Sequence, residues 1–272
     1  MTYTWTDNAM QSGTACNVDK ANDNLMYLKY QKPILNYLSG FELSNNGSDA
    51  NNDIDIAIGF CADSTNTTMI NLASGLTKRL DAAWAAGTNQ GGLDTGSKAT
   101  STWYHVYAIA KADATTDILF STSASAPTMP TDYVYKRRVG SIKTDGSGNI
   151  IAFKQFGDNF FWLTRPVERS LAAAADTSAH LLAISTPLGV NTMAMVMGIT
   201  NTASGQFVNI QSPYETDITP DANNTITQGS TYNAYMLNIL TDTSSQIRHR
   251  SSSTGNNFSI ISRGWIDYRG KN

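Results

Sequence analysis

Apolar alternation with a period of two constrains this chain more than any other feature. Ile54, Ile56, Ile58 and Phe60 alternate with Asp55, Ala57 and Gly59. Successive side chains of a strand point to opposite faces, so this run predicts a half-buried strand. Trp103, His105, Tyr107 and Ile109 share one parity, and Tyr104, Val106 and Ala108 share the other. Two apolar faces predict a central strand. Met193, Met195, Met197 and Ile199 alternate with Ala194, Val196 and Gly198. That run predicts a strand buried on both faces, with methionine filling irregular gaps.

Further strands are expected at 117–121, 133–143 and 149–156, with Phe160, Phe161, Trp162 and Leu163 closing this half, and, in the second half, at 181–184, 206–211, 232–240, 246–250 and 257–268. Asp145-Gly146-Ser147-Gly148-Asn149 has the composition of a hairpin loop, because Gly and Asn tolerate positive φ. Gly87 to Gly96 reads as a polar, glycine-rich loop. The stretch from Leu72 to Ala86 fits a short helix, through Leu72, Leu76, Leu80 and Trp84, as well as a strand followed by a turn. Residues 165–179 read as a connector. No strict repeat at a fixed period is present. Many short strands punctuated by Gly, Asn, Ser and Pro predict an all-β chain of antiparallel β-sandwich (jelly-roll-like) modules, at about 41–165 and 180–272. A short N-terminal arm, residues 1–40, precedes them. Asn17 has the character of a helix cap ahead of Val18, Ala21, Leu25 and Leu28, with Pro33 ending the helix. Ile34, Leu35, Tyr37 and Leu38 form a second apolar cluster. An arm this short does not fold alone and is expected to dock on its own body, a sister chain or a larger assembly.

Composition narrows the function classes. Charged residues make up 15% of the 272-residue chain, against about 25% in ordinary soluble proteins. Ser, Thr and Asn together make up about 30%. The net charge is −3, and a nucleic-acid binder needs a positive footprint that this chain lacks. No run of about 20 apolar residues occurs, so no membrane-spanning helix is expected. The opening residues have neither the basic start nor the apolar stretch of a secretory signal. Cys16 and Cys61 are too few for a disulfide framework or a structural zinc site, and read as free thiols suited to a reducing cytoplasm.

The residues that usually carry catalysis are sparse. His105 sits in an apolar run and reads as a core histidine. His249, between Arg248 and Arg250, reads as part of a solvated face. His180 has no second ligand at metal spacing. No HExxH, GxSxG or P-loop pattern occurs. A glycosidase needs two acids facing one cleft. Glu42, Glu168 and Glu215 are the only glutamates, and the aspartates fall mostly in loops. Asp53 and Asp55 beside Asn51 and Asn52 lack the spacing of a calcium loop. No catalytic residue, metal site or cofactor is assigned, and the chain is expected not to be an enzyme. Lys136, Arg137 and Arg138 form one basic cluster, read as edge-strand charges that block stray sheet pairing, or, with Arg263 and Arg269, as a contact for an acidic partner. Tyr214 and Tyr232 are loop aromatics whose ring faces suit stacking on sugars, with core or interface packing as their competing role.

Several longer strings resemble a known family. They are Thr102-Trp103-Tyr104-His105-Val106, Pro130-Thr131-Asp132-Tyr133, Tyr135 through Ile142, Thr144 through Ile150 and Phe153 through Asp158. Trp84-Ala85-Ala86-Gly87-Thr88, Gly91-Gly92-Leu93 and Gly264 through Arg269 belong with them, as do Ser12 through Ala15 and Asn24 through Lys29 near the start. Together they resemble virion proteins of tailed bacteriophages and prophages of the tail-fibre or tail-spike type. The matched motifs are packing and turn motifs, and they carry no catalytic residue. The resemblance implies a virion structural protein, assembled in the host cytoplasm. A tail-fibre or receptor-binding subunit, homotrimeric like phage fibres, is expected to contact other virion proteins and a host-surface glycan or protein. A capsid decoration or head-fibre protein is one alternative, and a capsule polysaccharide depolymerase is another.

Overall fold

The structure is a computed structural model that describes residues 34–171, 176–201, 206–223, 225, 227–228, 233–254 and 256–271. Among them every regular element is a strand. In chain order these are β1 (Leu38–Gly40), β2 (Leu43–Asn45), β3 (Asp53–Ile56), β4 (Gly59–Ala62), β5 (Met69–Leu72), β6 (Leu76–Ala83), β7 (Gln90–Leu93), β8 (Trp103–Lys111), β9 (Thr116–Ser121) and β10 (Tyr133–Lys143). They continue with β11 (Phe153–Phe156), β12 (Asn159–Trp162), β13 (Val167–Arg169), β14 (His180–Ala183), β15 (Met193–Asn201), β16 (Phe207–Gln211), β17 (Thr227–Gln228), β18 (Asn233–Leu240), β19 (Gln246–Ser251) and β20 (Asn257–Ile266). The expected all-β class holds. The helix expected from Asn17 lies outside the described residues. The described end of the arm, from residue 34, leads into strand β1 and contains no helix.

The strands form four sheets. Seven run in the order β10-β8-β9-β7-β6-β3-β2, and three in the order β1-β4-β5. A six-stranded sheet runs β11-β12-β20-β15-β18, with β13 also paired to β20, and a four-stranded sheet runs β14-β19-β16-β17. Strands from before residue 165 and from after residue 180 therefore share one sheet.

Strand β8 is buried over Trp103–Ala110, as its two apolar parities predict. Tyr104, Val106 and Ala108 enter a core shared with Leu43, Ile54 and Leu80 of the same sheet, Cys61 and Ile70 of the three-stranded sheet, and Phe160, Trp162 and Trp265 of the six-stranded sheet. Trp103, Trp162 and Trp265 meet there with centroids 5.1–5.9 Å apart, a rigid aromatic joint between sheets. Tyr107 and Ile109, on the other parity, form a separate cluster with Leu119 and Tyr133. A third core joins Val196, Phe258 and Ile260 to Val208 and Ile247 of the four-stranded sheet.

Three expectations are revised. The alternating run from Ile54 to Phe60 is two strands in two sheets. Ile54 and Ile56 are buried, but Ile58 and Phe60 are exposed, and Cys61 and Ala62 turn inward instead. The chain changes sheets here: Ala57 N–H donates to the Glu42 carbonyl, and the Ile58 carbonyl accepts from Phe41 N–H. The glycine-rich stretch from Gly87 to Gly96 contains buried strand β7, which pairs in parallel with both β6 and β9. Glycine is required there, because a Cβ on Gly91 would lie 2.0 Å from the Ala83 carbonyl oxygen and one on Gly92 would lie 2.7 Å from the Phe120 ring. Met193, Met195 and Met197 are only half-buried, whereas Ala194 and Val196 are buried. Strand β15 is thus covered fully on one face alone.

The turn at 145–149 forms and is closed by a Thr144–Ile150 bridge, but the strands on either side do not pair as a hairpin: β10 lies in the seven-stranded sheet and β11 in the six-stranded one. Asp145 N–H donates to the Asn149 carbonyl, the Asp145 carboxylate accepts from the Ser147 and Asn149 amides, and Gly148 has φ of +83°. Those amide bonds hold the Asp145 carboxyl below the usual carboxylate range.

Candidate ligand-binding groove

A concave site lies at the open end of β6, β8 and β10. Its base is Trp84, the residue immediately after β6. Trp84 N–H donates to the Leu93 carbonyl, and its indole Nε1 donates to the Ile118 carbonyl at 3.0 Å. The Tyr133 ring meets it edge-on, with centroids 5.2 Å apart. Lys78 Nζ lies 5.4 Å from the indole centroid.

A buried ion pair fixes this arrangement. Lys78 Nζ is 2.8 Å from Asp117 Oδ1, and both side chains are almost wholly buried. Lys78 also donates to the Ala85 carbonyl, and Asp117 accepts from the Gly87 and Ile118 amides. Burial lowers the Lys78 pKa, opposed by its bond to Asp117 and by the charge of that carboxylate. The pair therefore ties the 84–87 segment to β9 beneath the indole. Breaking a pair of this kind by removing one partner costs about 3–5 kcal/mol.

The groove above encloses about 560 Å³. It is lined by Ala83, Trp84 and Ala86 after β6, by Met129–Tyr133 before and at the start of β10, and by Asp94, Lys111 and Thr128. Asp94 Oδ2 accepts from Thr128 N–H at 3.0 Å. Lys111 Nζ lies 3.7 Å from Asp132 Oδ2 and 5.3 Å from the Tyr133 centroid. Asp132 has φ of +69°, an uncommon conformation for a residue with a side chain, and its carboxylate is exposed. Held aromatic surface beside carboxylates, a lysine and threonine hydroxyls suits a ring that is apolar on its face and polar at its edge, as a sugar is.

A second depression, of about 380 Å³, has both Glu42 and Asp55 in its lining. Both carboxylates are already engaged: Glu42 accepts from Gly157 N–H, and Asp55 from the Asn46 side-chain amide and the Thr77 hydroxyl. The loop before β3 is closed on itself, with the Asn52 amide donating to both Asp49 carboxylate oxygens.

Of the two tyrosines singled out from the sequence, Tyr214 is 61% exposed and its hydroxyl accepts from Asn191 Nδ2 at 2.7 Å. Tyr232 lies outside the described residues. His105 is buried with Nδ1 3.0 Å from the Ser141 hydroxyl, and burial, reinforced by the Arg138 charge, lowers its pKa to about 4. His249 does not lie on a solvated face: it packs against the Phe258 and His180 rings. Burial, then the Arg169 and His180 charges, lowers its pKa to about 4. Cys61 is a buried free thiol whose pKa burial pushes up to about 12. Among the described residues, no three His, Cys, Asp or Glu side chains are placed to hold a metal ion.

The sequence reading missed Trp84 as a site residue, because the strand following it is mostly glycine and polar residues and leaves no periodic trace. The signals available were the aromatic residue itself and the Pro130-Thr131-Asp132-Tyr133 turn. No protein-family model matches the chain, and no curated protein matches it.

Proposed function

We propose that this chain is a virion structural protein of the tailed-bacteriophage fibre type. In this reading it is a receptor-binding subunit that takes host-surface glycan into the Trp84–Tyr133 groove. The observation that carries the reading is the indole held from below by the Lys78–Asp117 pair and accompanied by polar groups in the groove lining. Supporting it are the low charge and the Ser/Thr/Asn-rich composition, which supply neutral hydrogen-bonding loops. The paired sheets then act as jelly-roll-like sandwich modules, the arm at 1–40 attaches to the virion, and the assembled unit is a homotrimer. Tyr214 is an outlying contact. The capsid decoration or head-fibre alternative differs only in where the protein sits on the particle, and labelled protein imaged on virions separates head from tail.

Binding of the purified chain to host cells and to a glycan array tests the receptor reading. Trp84→Ala is expected to reduce binding at least tenfold, with Tyr214→Ala weaker in effect. Full binding by a folded Trp84→Ala variant overturns the assignment of the groove, and no binding by the wild type overturns the receptor role.

The depolymerase reading draws on one observation, that Asp94 and Asp132 line the same groove. Release of soluble product from purified capsule, lost in both Asp94→Asn and Asp132→Asn, would replace binding by hydrolysis.

A further inference from the structure

The six-stranded sheet has two unequal faces. One enters the cores at Val196, Phe258, Ile260 and Trp265. The pairing register places the other parity together on the opposite face. Met197 stands opposite Met236 on β18 and Ile261 on β20, and Ile261 stands opposite Val167 on β13. Met193 stands between Leu240 and Ile266. These side chains are half-buried or exposed, Met236 at 60% and Val167 at 62%.

This face is also nearly free of charge. The residues of its parity include one lysine, Lys154 at the far edge on β11, and no carboxylate. Arg263 lies at the register shift of β20, with Nη1 3.5 Å from Met236 Sδ. A lipid surface would call for a rim of several basic groups, and an oppositely charged protein would call for a charge pattern. A copy of the same face needs neither.

Its size fits such a contact. Three strands of 8–10 residues and three of 3–4 residues, rising about 3.4 Å per residue and spaced about 4.8 Å apart, span on the order of 600 Å². That is at the upper end of the range for the largest patch of an ordinary monomer, about 300–600 Å², and about three-quarters of the roughly 800 Å² that each partner buries in a stable complex. Methionine adapts its shape to a facing surface.

We infer that a second copy of this chain packs on the outer face of the six-stranded sheet, with Met195, Met197 and Met236 at the centre of the contact. The inference deepens the oligomeric part of the virion reading but stands on the sheet face alone. A chain that self-associates here and binds no cell surface would overturn the receptor role and leave this contact intact.

Light scattering on the full chain at micromolar concentration is expected to give a whole-number multiple, two or greater, of 29.4 kDa. The Met197→Glu/Met236→Glu variant, which sets carboxylates against their own copies, is expected to fall to a single chain with an unchanged far-ultraviolet spectrum. Val134→Glu, at an exposed residue of the seven-stranded sheet, is expected to keep the wild-type mass. A wild-type monomer overturns the inference, since the face is then covered by another segment or partner. So does a folded double variant that keeps its mass. Hydroxyl-radical labelling of the wild type needs no variant: Met236 is expected to become several-fold less reactive as concentration rises through the association range. Unchanged reactivity overturns the inference as well.

Discussion

Arg138 on β10 grips Asp267, 129 residues later in the chain, through two hydrogen bonds of 2.6 Å each. Neighbouring Arg137 donates to the Arg269 and Gly270 carbonyls, Arg269 reaches Asp158 and the Gly40 carbonyl, and Lys271 reaches Asp158. Strand β10 is an edge strand of the seven-stranded sheet, as the basic cluster suggested. Its arginines nevertheless turn inward and fasten the segment after β20 to the first sheet. Arg263 takes no part, lying instead beside Met236.

Asp267→Asn leaves the Arg138 guanidinium buried without its countercharge and is expected to cost about 3–5 kcal/mol in urea unfolding. Burial by itself would raise the Asp267 carboxyl. The Arg138 charge and bonds, with the Arg269 amide and charge, outweigh burial and hold it below its ordinary value. The contribution is therefore complete above the unfolded value of about 4 and is lost as pH falls through the lowered one. The acid limb of the stability curve is expected to flatten in the variant.

His105 and His249 give a second acid sensitivity. Each has a folded pKa of about 4, against about 6.5 unfolded. The unfolded chain binds more protons between those values, so stability is full above pH 6.5 and declines as pH falls toward 4. At pH 5 the expected loss is about 2 kcal/mol per imidazole. Unfolding midpoints measured from pH 7 to 4.5 check this, and His249→Phe is expected to reduce the slope.

Lys78→Met strands Asp117 in the interior and is expected to destabilise the fold by about 3–5 kcal/mol. Lys78→Met/Asp117→Leu is expected to recover part of that loss, but not all, because the Gly87 amide loses its acceptor. Chemical unfolding of both variants measures the difference. If the proposed groove takes glycan, binding is expected to fall in both, since Trp84 loses the cation beneath it.

Gly264 is expected to be the least replaceable glycine of the six-stranded sheet. It has φ of +152°, and a Cβ there would lie 1.9 Å from the Phe160 carbonyl oxygen. Backbone cannot yield as a flexible side chain can, so Gly264→Ala is expected to cost more than about 3 kcal/mol or to prevent folding. Soluble yield and thermal midpoint report it. Gly146→Ala, with open space around it, is expected to change neither.

Local pattern alone determined the strand class, the span of β10, the double burial of β8 and the 145–149 turn. Each rests on side-chain alternation or turn chemistry among residues close in sequence. The tertiary structure alone decided where Ile58 and Phe60 point, because the chain crosses between sheets after Ile56 and reverses which parity faces a core. It also decided that Gln90–Leu93 is a buried strand, since glycine carries no hydrophobic signal and the parallel pairing with β6 and β9 leaves no local turn signature. The groove at Trp84, the Arg138–Asp267 clasp and the uncovered methionine face share that origin. Each depends on which strands lie side by side, and strand order is set by long-range packing that no window of neighbouring residues contains.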